Sequence, residues 1–369
     1  SPNLRLIDNY CFMYDPVTNR VEDIVPAGVE TIGTCVFSSA TLTGELLLTN
    51  CVDVGSAAFG GAQFSSVHIE SDRLIRLGRV SSYNPLGDAT GLSNVVIRAP
   101  NLGLMYGFKD GPFTNDVADV IPQSVTNIYG YFYGCTRMTG TVILTNLWAA
   151  SKEALFGDCK CLDAARIRCA PALTGFGSSF FNGCTNLKDV VIEAANLSAI
   201  PAYAFLGCSV LTNATLLTPA LTAISTKAFR GLTQLRSLTF GSTNQFTVAD
   251  DTFQSSGGLT NLVFYGPIPS VATMDRILTA VADTTKACAR DCVIYASKHQ
   301  AGWKNYWLGH PVSDAEADTN KVPANCRGVY VTAGGARKAW IVEQDSPYDV
   351  LKYFYIRVCD SSIGVPYDW

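Results

Sequence analysis

The residues of this chain that could do acid–base or metal chemistry are few and far apart. Its three histidines are His68, His299 and His310, and none of them has a partner at metal-ligand spacing. The 369 residues contain no phosphate loop, no Gly-x-Ser-x-Gly elbow and no cysteine–histidine nucleophile pair. The sequence therefore predicts a protein that is not an enzyme and that binds neither a cofactor nor a metal.

Cysteine gives the strongest remaining case for chemistry, with 13 residues in the chain. Cys159, Cys161 and Cys169 suggest a zinc site, but an extended segment would separate Cys161 from Cys169 by roughly 26 Å. We expect these cysteines to share neither a metal nor a disulfide. The odd total leaves at least one thiol unpaired, and it is too low for a disulfide scaffold.

Two further patterns resemble binding sites only in part. The segment Gly-Phe-Gly-Ser-Ser at 175–179 opens like a dinucleotide fingerprint, but it lacks the third glycine and the βαβ context. Asp110, Asp116 and Asp119 could ligate calcium, although they are loosely spaced in a predicted loop. Neither pattern is specific enough to predict a site.

Charge and hydropathy exclude several classes of partner. The net charge is -4 and the pI about 5.4, so there is no electrostatic case for nucleic acid or for an anionic membrane. Residues 194–226 carry no charge, but Pro201, Gly207 and Pro219 interrupt them. We therefore expect no transmembrane segment in this chain.

One phrase of sequence recurs ten times between residues 37 and 253. A clear copy reads Phe-Phe-Asn-Gly-Cys-Thr-Asn-Leu-Lys-Asp-Val-Val-Ile at 180–192. The apolar residues that anchor successive copies lie 22 to 27 residues apart, a period typical of leucine-rich repeats. These anchors are Phe37, Phe59, Leu86, Phe108, Phe132, Phe156, Phe181, Phe205, Phe229 and Phe253.

Each copy predicts one coil of a solenoid. Val190 and Ile192 share a parity, which predicts a short strand with these two side chains directed inward. The segment 195–201 then turns back toward the next copy. No coil can bury its apolar side alone, so stacked coils form a continuous core, with parallel strands about 4.8 Å apart. Cys135, Cys159, Cys184 and Cys208 occupy one repeat position, and we expect a column of buried, unreactive thiols.

The phrase Ile-(Pro)-x-x-Ala-Phe-x-Gly-Cys-x-x-Leu-x-x-Val-x-Ile resembles the BspA-like leucine-rich repeat family over residues 24–265. This resemblance implies an α/β fold: a right-handed leucine-rich repeat solenoid of about ten coils with a parallel β-sheet. It also implies an extracellular or cell-surface protein, mostly of bacterial type, that adheres to host proteins, matrix or other cells. The family carries no catalytic residues to transfer. Residues 71–126 depart from the pattern, and we expect the solenoid to bulge there.

The sequence divides into four predicted segments. Residues 1–25 form an N-terminal cap, with a hairpin around Asp15, and residues 26–265 form the solenoid. Residues 266–311 form a C-terminal α/β cap, in which Ser270 caps a helix and a strand and a tryptophan-bearing helix follow. Residues 312–369 form a small antiparallel β module, with a hairpin at 328–343, a third strand at 353–358 and a candidate Cys326–Cys359 disulfide.

We expect the outward strand positions of the solenoid to bind a protein on a host or neighbouring cell, because apolar and charged side chains mix there. These positions are His68, Glu70, Val96, Arg98, Arg166, Arg168, Val191, Glu193, Thr215, Leu217, Thr239 and Val263. One alternative is a carbohydrate-binding or anchoring protein that uses the aromatic side chains of residues 312–369, with the solenoid as a spacer. Another is an enzyme with a site hidden in the irregular stretch 71–126.

The compartment follows from the family resemblance and not from a signal in the chain. The sequence begins at Ser1 without an initiator methionine, so we expect a processed or trimmed protein whose leader is not in this sequence. We expect it to be secreted or held at the cell surface. The sequence indicates neither the oligomeric state nor the identity of the partner.

Overall fold

A computed structural model of the chain describes a defined set of residues in two compact units. The described residues are 3–15, 17–78, 84–86, 91–150, 153–256, 258–265, 269–270, 272–273 and 276–277, together with the backbone of 293–297, 326–331 and 338–344. The first unit comprises Ser1–Arg168 and Phe180–Asn186, and the second comprises Cys169–Ser179 and Leu187–Trp369.

The first unit is built from short strands and two single helical turns. The strands are β1 (Leu6–Ile7), β2 (Thr31–Ile32), β3 (Thr43–Leu48), β4 (Asp53–Val54), β5 (Gln63–Glu70), β6 (Arg76–Leu77), β7 (Asn94–Arg98), β8 (Leu104–Tyr106), β9 (Asn127–Tyr129), β10 (Gly140–Leu147), β11 (Ala149–Ala150) and β12 (Leu162–Cys169), whose last residue belongs to the second unit. The helical turns are α1 (Val21–Ile24) and α2 (Val117–Val120).

Most coils of the first unit contribute one long and one short strand, and the long and short strands form separate sheets. The short strands make a parallel sheet in the order β1-β2-β4-β6-β8-β9-β11, and β3, β5 and β7 make a parallel sheet on the other side. The helical turn α2 packs against both β7 and β10. The irregular stretch therefore replaces a strand by a helical turn.

The second unit repeats the same plan. Its strands are β13 (Asp189–Glu193), β14 (Ala199–Ile200), β15 (Asn213–Leu217), β16 (Ala223–Ile224), β17 (Ser237–Phe240), β18 (Thr247–Val248), β19 (Asn261–Phe264), β20 (Val293–Ser297), β21 (Cys326–Val331) and β22 (Lys338–Gln344). One sheet has the order β13-β15-β17-β19-β20-β22-β21, and the other has the order β14-β16-β18.

The strand predicted around residue 190 is confirmed, and so is its inward face. Val190 pairs with Ala214, which pairs in turn with Leu238, and the side chains of all three are buried. Each partner occupies the same position of the next copy of the repeat, 24 residues further on. The chain is thus a solenoid of stacked parallel strands, as predicted, with about ten turns over the two units. The sheet β14-β16-β18 was not predicted.

The anchor phenylalanines form stacked files through the core of each unit. In the first unit Phe132 stacks on Phe156 with ring centroids 5.7 Å apart, and Phe156 stacks on Phe181 at 5.4 Å. In the second unit Phe229 stacks on both Phe205 and Phe253, at 5.2 Å each. These separations lie in the range of favourable aromatic pairs. The predicted repetition of the anchor is therefore confirmed as direct contact between successive rings.

Four of the anchor phenylalanines are followed, two residues later, by a glycine with a positive φ angle. Gly183 and Gly231, after Phe181 and Phe229, have φ angles of +75° and +79°. Residues with a Cβ atom rarely adopt this left-handed conformation, and at Gly183 a Cβ atom would also collide with the carboxylate of Asp158 in the preceding coil. Asp158 itself holds the equivalent position after Phe156 with a φ angle of +55°, so the turn favours glycine without requiring it.

The N-terminal segment differs from the predicted hairpin. β1 pairs in parallel with β2, and the backbone N–H of Phe12 donates to Val36 O at 3.1 Å. Residues 6–12 therefore form a further coil of the solenoid. The fold also contains very little helix for an α/β protein, because each of the two described helical turns has four residues.

The C-terminal predictions are confirmed where residues are described. Ser270 Oγ accepts a hydrogen bond from Thr273 N at 3.2 Å and caps a helical turn. Strand β20 is present, and β21 pairs with β22 as an antiparallel hairpin. The strand β22 also pairs in parallel with β20, so the hairpin continues the sheet of the second unit. The tryptophan helix, the strand at 353–358 and Cys359 lie outside the described residues, and the four segment boundaries stay predictions.

Thr218 carries a buried hydroxyl without a hydrogen-bond partner among the described residues. Because the hydroxyl loses its hydration and gains no bond, we expect Thr218→Val to raise the free energy of unfolding by about 1 kcal/mol. Thr252 is a matched control, since it is equally buried and its hydroxyl donates to Ser225 O at 3.0 Å. Thr252→Val should lower the stability. Equal effects of the two changes on the urea midpoint would contradict this assignment.

Candidate functional site

Four of the predicted site residues lie on the sheet β3-β5-β7: His68, Glu70, Val96 and Arg98. Alternation along each strand directs one set of side chains inward, where Leu46, Val67 and Val95 are buried. The opposite set points outward and is exposed or half-buried. We call this second set the outer face, and it comprises Glu45, Leu47, Ser66, His68, Glu70, Asn94, Val96 and Arg98.

A row of three side chains crosses the middle of the outer face. Strand register places Leu47 beside His68 and His68 beside Val96. Leu47 is 45% exposed, which is high for a leucine within a sheet. An imidazole between two aliphatic side chains gives the row an apolar character, so it is suited to contact with an apolar surface.

Polar and charged groups flank this row on both sides. Toward the strand ends, Glu70 pairs in register with Arg98, and its carboxylate lies 3.5 Å from His68 Nε2. On the other side, Asn94 Nδ2 donates to Ser66 Oγ at 3.1 Å. An apolar centre with a polar rim is the usual anatomy of a protein-binding surface.

Asn115 fixes the edge of the outer face. Its Oδ1 accepts a hydrogen bond from Val95 N at 2.8 Å, and its Nδ2 donates to Asn94 Oδ1 at 2.9 Å. One side chain thus supplies bonds that a further strand would otherwise provide. Because an unpaired strand edge invites unwanted pairing, Asn115 both orders β7 and protects it.

The expected exposure is wrong for four of the predicted outward residues, all in the second unit. Val191, Glu193, Leu217 and Thr239 point outward from their strands but are buried. Register places Glu193 directly beside Leu217. Strands about 4.8 Å apart bring equivalent side chains into contact, so a large side chain at each position covers its neighbours. Only Thr215 and Val263 stay half-buried on this face among the twelve.

Arg166 and Arg168 form a separate pair of outward residues on β12. Both are half-buried, and Arg166 Nη1 donates to Ala165 O at 3.1 Å. They lie on a different sheet from β3, β5 and β7. The twelve predicted residues therefore do not form one uniform strip, and the outer face is the largest exposed group that the structure brings together.

Four residues of the outer face were not predicted from the sequence: Glu45, Leu47, Ser66 and Asn94. The run Glu45-Leu46-Leu47-Leu48 conceals the alternation, because three successive leucines give no inward or outward signal. The register also shifts between Gly44 and Glu45. The distance from the anchor gives no signal either, since His68 follows Phe59 by nine residues and points outward, whereas Val190 follows Phe181 by nine residues and is buried.

The cysteine column is confirmed as a buried feature of the repeat. In the first unit the thiols of Cys135, Cys159 and Cys184 donate to the carbonyls of the anchor residues one coil earlier. The Sγ–O distances are 2.6 Å to Phe108, 2.9 Å to Phe132 and 2.9 Å to Phe156. In the second unit Ser256 holds the same position and donates to Phe229 O at 2.5 Å. The column therefore holds successive coils together.

The repeat identifies the family of the chain. A family profile described as "BspA type Leucine rich repeat region" matches residues 3–83 and 126–260 with six copies, which is more than half of the chain. The chain belongs to the BspA-type leucine-rich repeat family. The unmatched residues 84–125 fall in the irregular stretch, where α2 interrupts the sheet.

Two solved structures are similar to the chain. A leucine-rich repeat protein from Bacteroides ovatus ATCC 8483 is 20% identical, with a TM-score of 0.42, and the match covers 74% of this chain and 72% of that one. A leucine rich cell surface protein from Faecalibacterium prausnitzii A2-165 is 15% identical, with a TM-score of 0.33, and the match covers 73% and 85%. No curated protein matches the chain.

The acidic candidates of this BspA-type chain have structural roles. Asp116 Oδ1 accepts a hydrogen bond from Ala118 N at 2.9 Å and caps α2. Asp110 lies 3.7 Å from Lys109 Nζ. A hydrogen bond to Asp158 raises the pKa of Tyr133.

No group of three or more metal-ligating side chains occurs within the described residues, and no helix among them is long and apolar enough to span the bilayer.

Burial controls the chemistry of the described cysteines. It raises the pKa of the Cys51 thiol to about 12, and it raises the pKa of Cys159 well above the ordinary value. The thiolate is the reactive form, so these side chains are protonated at pH 8. The neutral thiols contribute to the stability of the fold. This contribution is fully present below the pKa of an unfolded cysteine, and it is lost as the pH rises toward the pKa of the folded chain.

We predict that alkylation at pH 8 separates the exposed Cys11 from the buried thiols. Cys11 is exposed, whereas Cys51 and Cys159 are buried. Iodoacetamide pulses followed by peptide mass spectrometry should show Cys11 modified at least tenfold faster, because it is accessible whereas burial shields Cys51 and Cys159 and keeps them protonated. The rates should become similar in 6 M guanidinium. Equal rates in the folded chain would show that the column is open to solvent.

Proposed function

We propose that this chain is a non-enzymatic recognition protein of the cell surface that binds a protein partner through the outer face. The observation that carries this proposal is the row of the exposed Leu47 and the half-buried His68 and Val96 on a parallel sheet. Proteins with leucine-rich repeat solenoids are typically scaffolds for interaction and not enzymes. The family and the surface protein among its structural neighbours agree with such a role.

The chemistry of the outer face favours a protein partner over a small ligand. Its side chains lie on a sheet that neighbouring coils hold in register, so little conformational entropy is lost on binding. Charges of both signs surround the apolar row, because Glu45 and Glu70 face the same side as Arg98. A partner with an apolar centre and a rim of mixed charge would complement this surface.

The second unit provides a weaker candidate surface. Its outward positions Val191 and Leu217 are buried and offer little area to a partner. The carbohydrate-binding alternative depends on the aromatic side chains of residues 312–369, all of which lie outside the described part of the chain. The outer face of the first unit is therefore the site that we propose, with an extracellular or surface location.

We predict that Leu47→Asp weakens binding of a protein partner at least tenfold, because a buried leucine contributes about 2 kcal/mol at an interface. Host extracellular proteins enriched on the immobilised chain would first be identified, and the affinity of the purified partner would then be measured by surface plasmon resonance. Val96→Asp should have an effect of similar size.

Ile75→Asp is the matched control for this experiment. The exposed fraction of Ile75 is 50%, which is similar to the 45% of Leu47. Ile75 precedes β6, however, which belongs to the other sheet of the unit. The control should bind as the unchanged chain does, with circular dichroism confirming that all variants fold. Equal affinities for Leu47→Asp and the unchanged chain would remove the outer face as the binding site.

A further inference from the structure

Two blocks of the first unit repeat one another in sequence and in structure. Pro-x-Thr-Asn at 16–19 returns at 112–115, and Thr43-Gly44 returns as Thr139-Gly140, in both cases 96 residues later. The helical turn α1 packs on β3 as α2 packs on β10. The strands β10 and β12 are therefore the counterparts of β3 and β5 in the second block.

The burial patterns of the strands agree with this equivalence. Gly44 and Gly140 have φ angles of +93° and +88°, and the buried positions that follow them coincide along β3 and β10. From Phe64 in β5 and Leu162 in β12 onward, the buried positions also coincide. The first unit thus carries two outward faces of the same construction.

The outward side chains of β10 and β12 form the counterpart of the outer face. We call this counterpart the basic face, and it comprises the half-buried Thr141, Ile143, Thr145, Ala164, Arg166 and Arg168. The strand β10 contains no charged residue. The one carboxylate of β12 belongs to Asp163, and it accepts a hydrogen bond from Asn186 Nδ2 at 3.0 Å. The charges that project from this face are therefore those of its two arginines.

Equivalent positions of the two faces share an apolar residue and differ in charge. Leu47 in β3 corresponds to Ile143 in β10, so each face has an aliphatic side chain at the same place. Glu70 in β5 corresponds to Arg168 in β12, so the charge at this position is reversed. Surfaces with apolar centres and opposite charges beside them complement one another.

The two faces are neighbours within the first unit. The helical turn α2 packs against both β7 and β10 and takes the place of one strand between them. On either side of α2 lie two rows of outward side chains, those of β7 and β5 on one side and those of β10 and β12 on the other. This arrangement is symmetric about α2, so a second copy turned by half a revolution can match it.

We propose that the outer face binds the basic face of a second copy of this chain in a two-fold symmetric dimer. A rotation of 180° about an axis parallel to the strands and above α2 exchanges β7 with β10 and β5 with β12. The pairs that then face each other are Glu70 with Arg168, Val96 with Ile143, and His68 with Arg166. A two-fold interface is self-complementary, so every pair occurs twice in the dimer.

Each of these pairs is chemically favourable. Glu70 and Arg168 form an ion pair across the interface, where a carboxylate and a guanidinium can bond in bidentate fashion. Val96 and Ile143 bury aliphatic surface at the centre. Opposite the second arginine, the neutral imidazole of His68 offers an acceptor nitrogen to the guanidinium.

The inference rests on the proposed function, because it names the partner of the outer face. Five rows about 4.8 Å apart and about 17 Å long give roughly 400 Å² on each copy. The dimer would then bury about 800 Å² in total, an area typical of weak and transient contacts. Many such contacts formed together are much stronger than one. A weak contact of this kind suits a surface protein that recognises the same protein on a neighbouring cell.

Sedimentation equilibrium of the full chain tests the dimer. We expect a reversible equilibrium between monomer and dimer without larger species, because a two-fold interface is closed. Glu70→Arg and Arg168→Glu should each weaken the dimer at least tenfold, since like charges then meet twice. An equimolar mixture of these two variants should regain the affinity of the unchanged chain, because each variant supplies the charge that the other lacks.

Two further variants test the apolar pair, and one is a control for charge. Val96→Asp and Ile143→Asp should each weaken the dimer, one through the outer face and the other through the basic face. Lys109→Glu should leave it unchanged, because Lys109 is exposed in the turn after Phe108 and belongs to neither face. Circular dichroism checks that each variant folds.

A chain that stays monomeric at every concentration would overturn the inference, and so would a mixture of the two charge variants that associates no better than either alone. A dimer that neither charge variant weakens would also overturn it, since the copies would then meet elsewhere. If the monomeric chain binds a different protein in a way that Leu47→Asp weakens, this inference fails and the proposed function stands.

Discussion

The constraint on which this structure depends is the stacking of equivalent residues in successive coils. Parallel strands place each side chain about 4.8 Å from its counterpart in the next coil, so an inward residue must fit the same residue type above and below it. The files of phenylalanine and the column of cysteine satisfy this condition. Because each coil contacts only its neighbours, stability accumulates along the chain and no central core is required.

The same constraint decides where a partner can bind. Outward positions that carry large side chains in every coil cover one another, as Glu193 and Leu217 do in the second unit. On β3, β5 and β7 the outward residues differ in size and charge, and they stay accessible. The proposed site is therefore a place where the repetition is altered.

Much of this fold could be predicted from the sequence, because the repeat supplies the same information many times. The period, the inward parity of Val190 and Ile192 and the cap at Ser270 are all local signals. The second sheet was not predictable, since strands of two residues such as β14 have no periodicity. The four-residue turns α1 and α2 are too short for a helical pattern, and the burial of Leu217 depends on its neighbours in space.

Deletion of one whole coil tests the stacking most directly. Removal of residues 205–228 excises β15 and β16. It joins Ala204 to Phe229, so the Ala-Phe step of the repeat is kept at the junction. The account predicts that the shortened chain folds, with the far-ultraviolet spectrum of a β-solenoid and a cooperative urea transition, because β13 can pair with β17 in the same register. An unfolded or aggregated product, alongside a soluble full-length chain, would contradict the claim that equivalent positions alone determine how the coils stack.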